Sequence, residues 1–316
     1  MNETKIITLV GGSGFIGRYC VKVLASAGYR VQVLCRNPNK ASFLKTAGDV
    51  GQISVEYADL AKPETLQEKL NHSYAVVNLV GLLFECGKQK FTRIHAQGAE
   101  KLAQTAKDAG VEKFIQLSAL GVDKASKSKY AKTKMLGEKA VRAAFSKATI
   151  LRPSVVFGPE DDFFNRFASM ASISPFLPLI GGGKTCFQPI YVMDVAHAVL
   201  KSIQNRDAQG KTHELAGPDI KSFKELLEYI LEVTQQQSML LPVPFVVAET
   251  MGMFAELLPT PPLTRDQAKL LHYDNIVSGK LPGLAELGIV PTALEVEVPT
   301  YLARYKRYNA AEDMHA

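Results

Sequence analysis

The residues best suited to chemistry fall in two short motifs. The first is Gly11-Gly12-Ser13-Gly14-Phe15-Ile16-Gly17, with glycines three apart at 11, 14 and 17. It follows an apolar run over residues 5–10 and opens a helical pattern over 14–27. In that setting Gly11 lets the chain turn off a strand, Gly14 lets a pyrophosphate approach backbone N–H groups, and Gly17 lets the helix pack close to the sheet. The helix N-terminus adds partial positive charge for the phosphates. The alternative is a tight turn without a ligand, and the strand-before, helix-after context favours the phosphate cradle. The second motif is Tyr130-Ala131-Lys132-Thr133-Lys134. A spacing of four puts Tyr130 and Lys134 on one helix face. An ammonium beside a phenol lowers the phenol pKa and can also hold a ribose. A phenol so tuned can exchange a proton during hydride transfer. Ser118, at the end of the preceding apolar run, could polarise a carbonyl. The alternative is a surface helix pair, because Lys127, Lys129 and Lys132 lie close by.

The end of the second strand pattern reads Leu34-Cys35-Arg36-Asn37, with no acid to accept from ribose hydroxyls. Arg36 can instead pair with a 2′-phosphate, so NADP(H) is favoured over NAD(H). Arg18 and Lys40 could assist; the alternative for Arg36 is a solvated loop residue. Asp59, after the third strand pattern, is placed either to contact the adenine end or to cap a helix.

Elements must hold these motifs in register. Strand-type runs at 5–10, 31–35, 53–57, 74–79, 113–118 and 149–152 alternate with helical patterns at 14–27, 39–47, after Pro63, 91–109 and 130–145. The strands are nearly continuous in Ile, Val and Leu, as parallel strands covered on both faces are. On the first helix Ile16, Cys20, Val23, Leu24 and Ala27 share one stripe. The fold class is therefore α/β, a doubly wound parallel sheet of the Rossmann kind. From about Pro153 proline and glycine break the rhythm, with helices recurring over 194–204 and 222–234. This predicts a nucleotide-binding domain over 1–155 and a smaller irregular C-terminal lobe over 156–316, interleaved with the sheet and serving substrate or docking.

Composition narrows the function classes. Of 316 residues, 47% are hydrophobic and 22% charged, which excludes a disordered chain. The net charge of +6 is spread out, with short clusters at 124–134 and 304–307, so a nucleic-acid partner is not indicated. Cys20, Cys35, Cys86 and Cys186 form no C-x-x-C pair, which leaves no metal knuckle or redox motif. Residues 1–4 run directly into the first apolar run without a signal-peptide pattern, and no run approaches the ~20 residues of a membrane span.

Together the two motifs resemble the extended and atypical short-chain dehydrogenase/reductases. Leu151-Arg152-Pro153-Ser154-Val155-Val156-Phe157-Gly158-Pro159 looks like that family's strand and loop beside the nicotinamide. Gln188-Pro189-Ile190-Tyr191-Val192-Met193-Asp194 looks like its return segment. A narrower resemblance, to the NADPH-binding accessory subunits of respiratory complex I, is carried by Gly48-Asp49-Val50-Gly51-Gln52-Ile53, Asn78-Leu79-Val80-Gly81, residues 109–115, Gly137-Glu138-Lys139 and residues 157–170. The resemblance implies a nucleotide held as a structural ligand, with little or no turnover, near the quinone module of an NADH:quinone oxidoreductase. It implies a peripheral place on the inner-membrane face, and the absent presequence looks bacterial. It implies a nucleotide site lined by Gly11, Ser13, Gly14, Phe15, Ile16, Gly17, Arg36, Asp59, Val80, Gly81, Tyr130, Lys134 and Pro153, with Tyr130, Lys134 and Ser118 in the catalytic positions. Two positions depart from the family pattern. His95 stands where extended reductases usually carry Asn, and Ser118-Ala119-Leu120-Gly121 lacks the serine-rich run. Both suit a cofactor held tightly and rarely turned over; the alternative for His95 is a satisfied helix-face histidine. The rival expectation is a free-standing NADP-dependent reductase or sugar-nucleotide epimerase or dehydratase that uses Tyr130 and Lys134 on a small-molecule substrate. A third is an NADPH-reading regulator that binds another protein.

Two C-terminal segments stand apart. Within 239–258, Met251, Phe254, Ala255 and Leu258 share a helical stripe, read either as packing on the core or as a docking or membrane-interface helix. Residues 301–308 mix aromatic and basic types and fit a partner, phospholipid head groups or a solvated terminal helix.

Overall fold

Seven short apolar runs pair edge to edge, all parallel, in the computed structural model, which describes residues 4–259 and 261–307. In chain order the elements begin β1 (Ile6–Val10), α1 (Phe15–Ser26), β2 (Arg30–Cys35), β3 (Ile53–Tyr57), β4 (Ser73–Asn78), α2 (Ala99–Asp108), β5 (Lys113–Leu117), α3 (Lys129–Ala144) and β6 (Thr149–Pro153). There follow β7 (Val156–Phe157), α4 (Phe163–Ile173), β8 (Phe176–Ile180), β9 (Cys186–Phe187), β10 (Ile190–Tyr191), α5 (Val192–Gln204) and β11 (Thr212–Leu215). The chain ends with β12 (Lys221–Ser222), α6 (Phe223–Thr234), β13 (Met239–Val243), α7 (Phe245–Ala255), α8 (Arg265–Leu270) and α9 (Leu294–Leu302). The main sheet runs β11-β6-β5-β4-β1-β2-β3. The expected doubly wound parallel sheet is what forms, and its order reverses direction between β1 and β4.

Contacts divide the chain into two units. The first holds the residues through Ser154 together with Val192–Ala216 and Val277–Pro291; the second holds Val155–Tyr191, Gly217–Ile276 and the residues from Thr292 on. In the first, Cys20, Val23 and Leu24 of the expected α1 stripe are buried, whereas Ile16 is half-buried and Ala27, at the helix end, is exposed. Every residue of β5 is buried, including Lys113, whose Nζ donates to the Ile203 carbonyl at 2.5 Å. The second unit is built round aromatic rings, with Phe163 and Phe223 6.1 Å apart and Phe167 between them. Its α9 is tied inward by Tyr301, whose hydroxyl donates to Asp161 at 2.6 Å. Among the described residues, no helix is long and apolar enough to cross a membrane.

Three expected helices form differently. Residues Asn39–Ala47 wind as a 3₁₀ segment, and after Pro63 only two short 3₁₀ turns appear. The pattern over 91–109 divides into a π-helical stretch, Thr92–Gly98, and then α2. The π-helical stretch meets α3 at the backbone. A Cβ on Gly137 would stand 1.9 Å from the His95 carbonyl oxygen, so α3 presses directly on this stretch. The 251/254/258 stripe does not pack on a core within its unit: Met251, Phe254 and Leu258 are exposed, and α7 buries its small residues Ala248 and Gly252. Gly252 is the reason, because a Cβ there would meet the Arg265 backbone nitrogen at 2.6 Å. Tyr308 and residues 1–3 lie outside the described residues.

Gly137→Ala is expected to cost about 2–3 kcal/mol, as overpacking between two backbones does. Urea unfolding of the variant beside the wild type measures it; a loss below about 0.5 kcal/mol would mean α3 can shift away freely.

Candidate functional site

The glycine loop leaves the carboxyl end of β1 beside the point where strand order reverses, and its shape is enforced by contact. Gly11 has φ +85°, and a Cβ there would sit 2.9 Å from the Val80 side chain of the loop after β4. A Cβ on Gly17 would lie 2.5 Å from the Gly12 backbone, so this glycine fits α1 to its own entry loop. Gly14 differs: the nearest atom to a Cβ is the Gly11 oxygen at 3.5 Å, which leaves that side open. Gly14 is also the N-cap of α1, and no side chain caps it. The first-turn N–H groups thus have the geometry an anion needs, with Ser13, Phe15 and Ile16 half-buried round them. These features fit a dinucleotide pyrophosphate.

Around the loop, Asn78 fixes the end of β4: its amide donates to Gln116 at 2.9 Å and its oxygen accepts from Val80 N at 3.2 Å. Arg36 follows β2 and is exposed, Lys40 is exposed, and the Arg18 guanidinium stacks over Phe43 at 5.3 Å. The Asp59 carboxylate accepts from Ala61 N at 2.9 Å, a cap of its own turn.

Tyr130 and Lys134 stand on α3, whose N-cap Ser128 accepts from Ala131 N. Lys134 is buried; its Nζ donates to the Leu117 carbonyl at 3.2 Å and lies 6.0 Å from the Tyr130 ring centre. A Cβ on Gly81 would reach that Nζ at 3.3 Å, which brings the β4 loop, β5 and α3 to one point. Ser118, at the end of β5, is buried, and its hydroxyl has no hydrogen-bond partner among the described residues. Such an orphan fits a site that completes itself with a bound molecule. Pro153 is buried at the end of β6.

Electrostatics here differ from the sequence expectation. The Tyr130 phenol is pushed up to about 12 by burial, rather than lowered by Lys134. Burial also brings Lys134 down to about 8, with Glu138 one turn on opposing it. The ammonium faces a backbone carbonyl, and the buried phenol stays protonated at neutral pH.

His95 is the satisfied helix histidine of its plainer sequence reading. It lies in the π-helical stretch and is buried. Its Nε2 accepts from Leu82 N at 2.9 Å, which assigns the proton to Nδ1, 3.1 Å from Thr133 Oγ1. Thr133 in turn donates to the carbonyls of Lys129 or Tyr130. The ring stacks on Phe91 at 5.2 Å and meets Tyr130 edge-on at 5.3 Å. Both nitrogens are satisfied, so His95 staples the β4 loop to α3. Burial, then the Lys134 charge, drives its pKa down to about 3.

A buried ion pair anchors the same helix. Arg152 of β6 donates to both Glu138 oxygens at 2.9 and 2.7 Å, and to Asp123 at 3.2 Å. Arg152 and Glu138 are both under a tenth exposed. Breaking such a pair leaves a buried charge uncompensated.

A parallel sheet of this order and a glycine loop at its switch point narrow the choice to dinucleotide folds, and the family description decides it: "NAD dependent epimerase/dehydratase family" matches residues 7–216. The chain belongs to the NAD dependent epimerase/dehydratase family. This member of the family is similar to NADH dehydrogenase [ubiquinone] 1 alpha subcomplex subunit 9, mitochondrial, of Mus musculus, at 34% identity over 306 residues, which is 96% of this chain and 81% of that protein. It is also similar to the ceramide reductase of Caulobacter vibrioides, at 33% over 175 residues, 55% of this chain and 54% of that one. Its fold matches DesIV, a dTDP-glucose 4,6-dehydratase from Streptomyces venezuelae with NAD and TYD bound, with a TM-score of 0.74 at 19% identity, covering 95% and 96% of the two chains.

His95 makes stability depend on pH. Its folded pKa lies below the ordinary 6.5. Unfolding therefore takes up a proton below that value, and stability is lost as pH falls, by about 1.4 kcal/mol per unit from 6.5 toward the folded pKa. His95→Gln is expected to lose less stability than wild type between pH 7 and pH 5, by about 2 kcal/mol, in paired urea titrations. Equal slopes would show that His95 is charged in the folded protein.

Proposed function

We propose that this protein is an accessory subunit of an NADH:quinone oxidoreductase, peripheral to the membrane near the quinone module, holding NADP(H) as a structural ligand with little or no turnover. The observation that carries this reading is the extent of the likeness. The family description stops at residue 216, whereas the match to the mouse complex I subunit spans 96% of the chain and so takes in the second unit. A bound nucleotide would stabilise the folded subunit by mass action. Nicotinamide nucleotides supply hydride-transfer chemistry when bound. The chain's own part would be to seat the pyrophosphate at the α1 N-terminus, to meet a 2′-phosphate with Arg36, and to hold the ribose with Lys134. Tyr130, Val80, Gly81, Asp59 and Pro153 would complete the lining. A phenol raised to about 12 supports a binding role, since a general acid–base works best near the operating pH.

A second reading, an NADP-dependent reductase or epimerase acting through Tyr130, Lys134 and Ser118, is favoured by the partnerless buried Ser118 hydroxyl and the ceramide reductase likeness. It requires bound nucleotide or substrate to bring the phenol back toward neutrality.

Gentle solubilisation of membranes and density-gradient fractionation separate the two. The tagged protein is expected to travel with the large NADH dehydrogenase activity; a small species at the top of the gradient would overturn the accessory reading, and loss of an enzyme activity in Tyr130→Phe would then establish the second. Arg36→Glu is expected to weaken NADPH binding about tenfold or more while changing NADH little. Calorimetric titration with both nucleotides tests it, and equal loss of the two would remove the 2′-phosphate assignment.

A further inference from the structure

Two segments of the first unit are locally rich in positive charge. Residues 82–93 follow β4 and enter the π-helical stretch; residues 121–132 follow β5 and begin α3. Together they hold seven cations, Lys88, Lys90, Arg93, Lys124, Lys127, Lys129 and Lys132, against Glu85 and Asp123, an excess of five in a chain whose net charge is +6. Both carboxylates are engaged already. Glu85 pairs with Lys129 at 2.8 Å, and Asp123 with the buried Arg152 at 3.2 Å.

The segments are fixed side by side. The Glu85–Lys129 pair crosses from one to the other, and Glu85 also accepts from Phe91 N at 2.7 Å. The Phe91 ring meets Tyr130 edge-on at 5.8 Å. The lysines at 88, 90, 124, 127 and 132 are exposed. Their shared field is therefore presented on a preformed surface at the carboxyl ends of β4 and β5.

We infer that this lysine face is a docking surface for an acidic protein. The side-chain types favour that occupant. Six of the seven cations are lysines, and the single arginine already donates to the Ala61 carbonyl at 3.1 Å. Lysine is a compact point charge without the planar fork that phosphates reward, and it suits dispersed carboxylates. No aromatic side chain of the two segments is among the exposed large apolar groups, so nothing is offered for bases to stack on. Leu83 is the sole exposed large apolar residue there, too little to anchor in a bilayer.

The test uses the full chain with Lys88, Lys90, Lys124 and Lys127 changed to Glu, and a control with the same change at Lys22, Lys107, Lys139 and Lys201, exposed on helices of the same unit. Probes are poly-L-glutamate, vesicles of phosphatidylserine in phosphatidylcholine, and a short single-stranded oligonucleotide. Poly-L-glutamate binding at low salt is expected to fall about tenfold or more in the first variant and about threefold or less in the control. Equal losses would overturn the proposal by making the charge effect diffuse. Tighter binding of vesicles or oligonucleotide by the lysine face would overturn it in favour of lipid or nucleic acid. If the Glu variant fails to fold, the Gln version removes the attraction without reversal and is read the same way. A second arm rests on the accessory-subunit reading: in the gradient, the Glu variant should leave the large complex at lower NaCl than wild type and control. If it stays at every salt concentration, the proposal falls. If the wild type never co-migrates, that reading fails, while the poly-L-glutamate measurement still decides the lysine face.

Discussion

A guanidinium buried at the end of β6 must be neutralised where it stands, and the placement of α3 follows from that requirement. Arg152 takes both oxygens of Glu138 from the middle of the helix, and Asp123 from the loop ahead of it. In a low-dielectric interior neither partner can be withdrawn cheaply. The pair therefore sets where α3 lies against the sheet, and with it where Tyr130 and Lys134 stand. Lys134 is then brought beneath the β4 loop, where a Cβ at position 81 would stand 3.3 Å from its Nζ.

The other side of α3 is set by backbone contact rather than charge. Gly137 admits the His95 carbonyl, and the preceding chain widens to a π-helix. Such widenings are frequent at functional sites, where they re-aim side chains. Here the widening aims the His95 ring between Leu82 and Thr133. The imidazole is neutral and hydrogen-bonded at both nitrogens. The result is a fixed framework round a phenol that burial keeps protonated at neutral pH.

The second unit follows a different rule. Its α7 is apolar nearly all round yet buries only its smallest residues, because Gly252 must touch the backbone at Arg265. Helical periodicity marks which residues share a face; it says nothing about whether the large or the small residues of an apolar helix are the ones turned inward.

By itself the sequence determined the strand order's raw material, the glycine loop and the Tyr130–Lys134 spacing. These are local: a parallel buried strand needs a continuous apolar run, a phosphate turn needs glycine, and a four-residue spacing is one helix face. Gly11 takes the left-handed turn its position implied, whereas Gly17 meets Gly12 of its own entry loop rather than the sheet. What only the tertiary structure decided depends on groups far apart in the chain. The pKa of Tyr130 rises through burial, while the Lys134 ammonium donates to the Leu117 carbonyl. The satisfied state of His95 depends on Leu82 and Thr133, which are 13 and 38 residues away. Pattern reports what a residue is able to do; which partner it meets, and at what cost in desolvation, is a property of the folded chain.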